Sequence, residues 1–307
     1  MHKVIRIGTR DSKLALWQAH HVSDQLQKIG FETEIISVKS DGDLLLHKPL
    51  YELGIIGIFT KTLDIAMLEG KIDIAVHSMK DVPTTLPKGI VKAAVLERGK
   101  SEDVLVYKKD LDFLAEEGII ATGSLRRKAQ WLNRFPLHEV EDLRGNVQTR
   151  LQKLENNNWN GAIFAKAGLE RLCIDNQKYT ALDWMLPAPA QGALMVVALE
   201  DDVYSRNALS QLNNTKADVE THIERQFLKT LEGGCTAPIA ALAQFDEEFQ
   251  KIVFKGNLLS IDGKDKIEVE KTIEFQEWEN AGILAANEIL NNGGKELMQN
   301  IGLELKK

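Results

Sequence analysis

The chain has 307 residues, 38 Lys+Arg against 45 Asp+Glu, a formal net charge of −7, and 44 % apolar and 27 % charged residues. That is the make-up of a globular protein of two or three domains, and it argues against a general nucleic-acid binder. No apolar run reaches about 18 residues, which excludes a transmembrane helix, and two cysteines, Cys173 and Cys235, cannot build a disulfide framework. The start, MHKVIRIGTR, lacks the apolar centre of a signal peptide, so cytoplasm is the expected location.

Lys3–Ile7 reads as a strand. A helix follows, with Ser12 as N-cap, Ala15, Val22, Leu26 and Ile29 on one face, and Gly30 as its stop. Glu34–Val38 is a second strand, and 40–57 mixes Gly, Pro and polar residues as a long loop. A helix from Thr60 to Leu68 leads to the apolar strand Ile72–His77. This β-α-β alternation predicts an α/β domain with a largely parallel sheet. Val91–Leu96 and Val104–Tyr107 are strands flanking a polar turn. Ile119–Ala121 is a short strand, after which Thr122-Gly123-Ser124 opens a helix to Phe135. A helix over Val147–Asn156 and a strand over Ala162–Ala165 repeat the α/β style. Pro187 and Pro189 break the chain before a strand at Leu194–Leu199. The pattern then changes to α+β. A helix over Asp218–Leu231 precedes three segments of an antiparallel meander: Ile239–Phe245, Ile252–Leu259 and Lys266–Phe275. A helix over Glu279–Leu290 and a short terminal helix finish the chain.

Nine of the 11 arginines precede Gln191 and none follows Arg225. Guanidinium groups grip carboxylates in two places, so clustered arginines in an acidic chain point to a local anion site. Thr122-Gly-Ser-Leu-Arg126-Arg127 puts two arginines at a helix N-terminus, where free N–H groups and the dipole favour an anion. Two cations there oppose the dipole, which makes sense if a ligand brings the negative charge; two solvated arginines read equally well. Leu143-Arg144-Gly145, followed by Arg150, is either a second anion turn or surface charge on an amphipathic helix. Arg6-Ile-Gly-Thr-Arg10-Asp-Ser12 closes a strand at the edge where open α/β sheets bind ligands. The apolar strand Ile72–His77 ends in a cluster of His77, Ser78, Lys80 and Asp81, groups able to move protons or stabilise charge. Taken alone, His77 reads as a satisfied core histidine and Asp81 as a turn cap. The histidines show no metal spacing, so no metal site is expected. Cys235 stands in a glycine turn after a helix, which suits a projecting thiol, whereas Cys173, between Leu172 and Ile174, reads as buried and inert.

The runs RIGTRDSKLALWQA, DIAVHSMKDVPT, GSLRRKAQ, LRGNVQTRLQKL, AGLERL, PAPAQGA and LEGGCTAPIA occur in that order from about Arg6 to Pro238. In this order they resemble the porphobilinogen deaminase (hydroxymethylbilane synthase) family. The resemblance implies a transferase that joins four porphobilinogen molecules head to tail, releasing ammonia, into the linear tetrapyrrole hydroxymethylbilane. It implies a dipyrromethane cofactor held as a thioether on Cys235, and Asp81 as the catalytic carboxylate, buried so as to stabilise cationic pyrrole intermediates. Ser78, Lys80, Asp81, Thr122, Ser124, Arg126, Arg127, Arg144 and Gly145 fall to the cofactor. Arg10, Ser12, Phe59, Arg144, Arg150, Arg171 and Gln191 fall to the substrate.

The same resemblance implies two α/β domains of the type II periplasmic-binding kind plus a C-terminal α+β domain with a small antiparallel sheet. Domain 1 is expected over 1–95 and 194–212, domain 2 over 98–190, and domain 3 over 216–307. The expected protein is a monomer acting on a small molecule, without nucleic acid or membrane. The sequence departs from the family pattern in places. Ile56 and Glu52 stand where a Lys is usual, Ala121-Thr122-Gly123-Ser124 has one hydroxyl fewer, and the run from Arg98 to Asp103 has one Arg fewer.

Overall fold

The computed structural model describes residues 3–38, 60–231, 237–246, 248 and 250–305. The first stretch holds β1 (Ile5–Thr9), α1 (Lys13–Lys28), β2 (Thr33–Ser37), α2 (Lys61–Leu68), β3 (Ile74–Ser78) and β4 (Ile90–Val95). Then come β5 (Asp103–Tyr107), β6 (Ile119–Ala121), α3 (Leu125–Arg134), β7 (Glu139–Glu141), α4 (Val147–Asn156), β8 (Gly161–Ala165), α5 (Lys166–Arg171) and β9 (Tyr179–Ala181). The last stretch holds β10 (Leu194–Leu199), α6 (Val203–Ser210), α7 (Thr215–Thr230), β11 (Ile239–Phe245), β12 (Lys251–Leu259), β13 (Lys266–Glu274), α8 (Ala281–Ile289) and α9 (Lys295–Glu304). Among the described residues, 3–38, 60–99 and 192–219 form one compact unit, and 100–191 with the residues from 220 onward form another. No described helix is long and apolar enough to cross a membrane.

The first unit is a five-stranded sheet in the order β2-β1-β3-β10-β4. β1 runs parallel to β2 and β3, but β10 is antiparallel to both of its neighbours. The sheet is therefore mixed, and the expected largely parallel sheet needs correction. The reason is connectivity: β10 arrives from the far side of the second sheet in sequence and enters between β3 and β4 against their direction. Ile5, Ile7, Ile74, Val76, Val196 and Ala198 share a core with Val22 and Leu26 of α1 and Ala208 and Leu209 of α6. Strand alternation turns His77 to the face opposite Val76. α1 starts where Ser12 Oγ accepts the Ala15 N–H at 3.2 Å, and ends before Gly30, whose φ of +91° suits glycine.

The second unit repeats the plan. Its sheet runs β7-β6-β8-β5-β9, with β6 parallel to β7 and β8 and with β5 antiparallel to β8 and β9. The short β7 and β9, and the helices α5 and α6, carry too little periodicity to be read from sequence. Cys173 also differs from expectation. It is exposed, with φ of +51°, because α5 has just ended and the Cys173 N–H turns back to the Glu170 carbonyl at 2.9 Å.

The meander β11-β12-β13 forms the third sheet, in the same unit as the second. β11 is an edge strand, and its outward N–H groups are closed off one by one. Ala241 donates to the Pro187 carbonyl at 3.2 Å, Ala243 to Glu224 Oε1 at 2.8 Å, and Phe245 to Glu220 Oε1 at 3.2 Å. Glu220 and Glu224 lie one turn apart on α7, so both face the strand. Glu224 is fully buried, and its Oε2 also accepts the Ala190 N–H at 2.6 Å. Ala190 has φ of +63°, a left-handed conformation that a non-glycine residue keeps only when its surroundings enforce it.

Glu224→Ala orphans two buried N–H groups, each costing about 1–3 kcal/mol. Urea denaturation should show a loss of about 2 kcal/mol or more, and an unchanged midpoint would remove Glu224 from this role. A pH effect follows from Asp73. Burial raises its carboxyl pKa, but hydrogen bonds from the Arg6 N–H (2.8 Å), Nε (3.0 Å) and Nη2 (2.9 Å), with the charges of Lys3 and Arg6, bring it below the ordinary value. Stability from a depressed carboxyl is present above the unfolded pKa, about 3.9, and is lost as pH falls through the folded one. Asp73→Asn should therefore melt lower than the parent chain at neutral pH, and the gap should narrow below about pH 4.

Candidate active site

In the first unit the expected residues gather at the C-terminal ends of β1 and β3. Arg10 and Ser12 follow β1 and are half-buried. Ser78 ends β3, and its Oγ accepts a hydrogen bond from Gln18 Nε2 at 2.8 Å. A short 3-10 turn, Met79–Asp81, then carries a half-buried Lys80 and an exposed Asp81. The carboxylate was expected to be buried. The turn instead points it outward, because its first residue, Met79, is the one inserted into the core. Arg6 serves the other end of the strands, where it is held by Asp73.

His77 is buried, and its Nε2 has no hydrogen-bond partner. It is thus not the satisfied core histidine that its isolated position suggests. Burial, and then the charge of Arg10, push its pKa down to about 4, so it is neutral at physiological pH.

In the second unit the Thr122–Ser124 turn leaves β6 and starts α3. Ser124 caps the helix, its Oγ accepting the Arg127 N–H at 3.5 Å, and Thr122 Oγ1 accepts the Ser124 N–H at 3.3 Å. A Cβ on Gly123 would stand 2.5 Å from the Leu143 carbonyl oxygen and 3.4 Å from Arg144 Cδ. Only glycine lets this turn lie against the loop that bears Arg144. Gly145 has φ of +113° and precedes Asn146, whose Oδ1 caps α4 by accepting the Thr149 N–H at 2.9 Å. Arg150 Nε donates to the Gly145 carbonyl at 2.7 Å. Two capped helix starts, α3 and α4, therefore carry Arg126, Arg127 and Arg150 in their first turns, with Arg144 in the loop just before α4.

Arg126 and Arg127 are neither solvated nor dependent on a ligand for all of their counter-charge. Both are buried against Asp103, itself fully buried at the start of β5. Asp103 Oδ2 accepts Arg126 Nη2 at 2.7 Å; Oδ1 accepts Arg127 Nη2 at 2.7 Å and Nε at 3.1 Å. Arg126 Nη1 donates to the Leu186 carbonyl at 2.6 Å and Arg127 Nη1 to the Ile163 carbonyl at 2.9 Å. Arg126 Nε is buried and unpaired. Burial and the neighbouring Arg127 lower the Arg126 pKa against the pull of Asp103. Gln191, expected at the substrate, has its amide hydrogens engaged by the Ser101 carbonyl (2.7 Å) and Asp103 Oδ1 (2.9 Å). Arg171 ends α5 half-buried, its pKa lowered to about 10 chiefly by desolvation. Asp103 is the functional candidate that motif reading missed. The signal available was a carboxylate opening an apolar strand, VLVY. Cys235, Phe59, Ile56 and Glu52 lie outside the described residues.

Among solved structures, an ancestral cationic amino-acid solute binding protein is similar over 68% of this chain and 87% of its own, at 13% identity and a TM-score of 0.43. A probable porphobilinogen deaminase of Methanococcoides burtonii is 39% identical over 303 residues, 97% of each chain. A porphobilinogen deaminase of Campylobacter fetus is 41% identical over 298 residues, 96% of this chain and 97% of its own. The family described as "Porphobilinogen deaminase, dipyromethane cofactor binding domain" matches residues 5–207, and "Porphobilinogen deaminase, C-terminal domain" matches residues 219–291. With both family domains matched in order and relatives this similar over nearly the whole length, the chain belongs to the porphobilinogen deaminase family.

Proposed function

We propose that this chain is a transferase of tetrapyrrole biosynthesis that condenses four porphobilinogen molecules head to tail into hydroxymethylbilane, with loss of ammonia at each step. The observation that carries the reading is the buried Arg126–Arg127 pair. Two guanidinium groups share one carboxylate, so one positive charge remains, at the start of a helix whose Gly123 turn lies against the loop that bears Arg144. Each pyrrole of substrate and cofactor carries an acetate and a propionate, and such a site suits carboxylates.

The residues present fit a dipyrromethane. Arg126 Nε is a buried donor without an acceptor, an arrangement that costs about 1–3 kcal/mol unless an anion reaches it. Arg126, Arg127, Arg144, Thr122, Ser124 and Gly145 would hold the carboxylates, with Ser78 and Lys80 as further donors and Cys235 as the thioether anchor. When bound, the group supplies a free pyrrole α-carbon at which chain growth begins. Arg10, Ser12, Phe59, Arg150, Arg171 and Gln191 are assigned to the incoming substrate. The carboxylate of Asp81 accepts pyrrole N–H hydrogen bonds and offsets the positive charge that develops as ammonia leaves. Its exposure leaves it open to that contact. We assign 216–307 to a third domain that brings Cys235 to the site, and the working form to a cytoplasmic monomer without nucleic acid or membrane.

The intact mass of purified protein should exceed that of the bare chain by a dipyrromethane, and Ehrlich's aldehyde should give a dipyrrole colour. A bare-chain mass that stays unchanged and colourless after incubation with porphobilinogen would refute the function. Cys235→Ala should remain at the bare mass and without turnover. Asp81→Ala should keep the added mass and lose about two or more orders of magnitude in kcat, the scale for removal of a group aimed at developing charge; a wild-type rate would remove Asp81 from the chemistry.

A further inference from the structure

We infer that Asp103 is a positioning residue of the carboxylate site: it aims Arg126 and Arg127 and holds their combined charge at a single net positive, without touching a ligand itself. The inference rests on the reading that this arginine pair holds a carboxylate-bearing cofactor. The side chain is wholly enclosed, and both of its oxygens accept hydrogen bonds from within the protein. No approach is left for a substrate or cofactor.

It nonetheless holds both arginines, together with two backbone carbonyls. Arg127 has an internal acceptor for Nε, Nη1 and Nη2. Arg126 has one for Nη1 and one for Nη2, which leaves only Nε turned away from a partner. Side by side and desolvated, the two cations repel each other and oppose the dipole of α3. Asp103 is what permits both to be buried. Gln191 adds a fourth hydrogen bond to the carboxylate and so ties it to the segment after Pro189.

The experiment compares the parent chain, Asp103→Asn, Asp103→Glu and the double variant Asp103→Asn with Arg127→Gln. Asparagine keeps the size but removes the charge and points an amide N–H₂ at other donors. Folding is followed by circular dichroism melting, cofactor content per folded molecule by intact mass, and KM apart from kcat by steady-state kinetics. Asp103→Asn should melt lower and, where folded, load about tenfold less cofactor or raise KM about tenfold, as outer partners of ligand-holding groups do elsewhere. Asp103→Glu should recover part of the loading. The double variant, relieved of one of two uncompensated charges, should melt above Asp103→Asn. Wild-type loading and KM in folded Asp103→Asn would overturn the inference, and so would a double variant that melts below the single one. If the parent chain carries no cofactor and does not consume porphobilinogen, the proposed function fails, while the melting comparison still decides the charge role of Asp103.

Discussion

Two guanidinium groups occupy the first turn of α3, where the helix dipole is already positive, and neither has water to relieve it. A single enclosed carboxylate at the head of a neighbouring strand makes this possible. Removing one partner from such a buried pair costs about 3–5 kcal/mol, yet exchanging a whole cluster for apolar side chains is often neutral or better. Stability alone therefore does not account for it. What the cluster provides is a fixed excess of positive charge in a weakly polarisable interior, where a carboxylate is attracted far more strongly than in water. The cluster also sets the geometry around it. The Ile163 and Leu186 carbonyls accept hydrogen bonds from the arginines and Gln191 donates one to Asp103, so β5, β8, α3 and the chain leading to Gln191 are tied at one point.

The segment from Pro187 to Gln191 is held from its other side by α7. Glu224 accepts the N–H of Ala190 and of Ala243, and the Pro187 carbonyl accepts from Ala241. The left-handed Ala190 costs of order 1–3 kcal/mol and persists because Glu224 fixes its N–H while Gln191 is fixed by Asp103. Two buried carboxylates thus anchor consecutive residues. The same glutamate, with Glu220 and the Pro187 carbonyl, closes the free edge of β11, which removes a ladder of donors that would otherwise pair with another chain.

Much of this was legible in the sequence, for physical reasons that differ by element. The strands Ile119–Ala121, Leu194–Leu199 and Ile239–Phe245 and the helix Val147–Asn156 have the bounds that periodicity and capping predict. β7 and β9 have three residues each, too few for a period to register. The direction of β10 was hidden because pairing depends on where a distant strand arrives, which local pattern does not encode. Cys173 was misread from its apolar neighbours, whereas the end of α5 decides its exposure. At the site, the arginines and the glycine turn are visible as motifs because their chemistry is local. Asp103 is not, because its role exists only once β5 is laid beside the start of α3, more than twenty residues later.

A net charge of −7 is a poor guide to the field at one buried point of this protein. Exposed charges are screened over about 8 Å at physiological salt, so the acidic surface acts weakly on a ligand already at a site. The Arg126–Arg127 pair is buried, hardly screened, and neutralised only to one half. Asp81 is in the contrary position, exposed on its turn, and a carboxylate in water stabilises a nearby cation only modestly. On the proposed function, the ligand itself completes this half of the chemistry. A pyrrole laid over Asp81 displaces water from it, so the field that stabilises the developing cation is strong only while substrate is bound. The buried arginine pair needs no such help to act on a carboxylate, because Asp103, Arg126 and Arg127 are already enclosed by the protein.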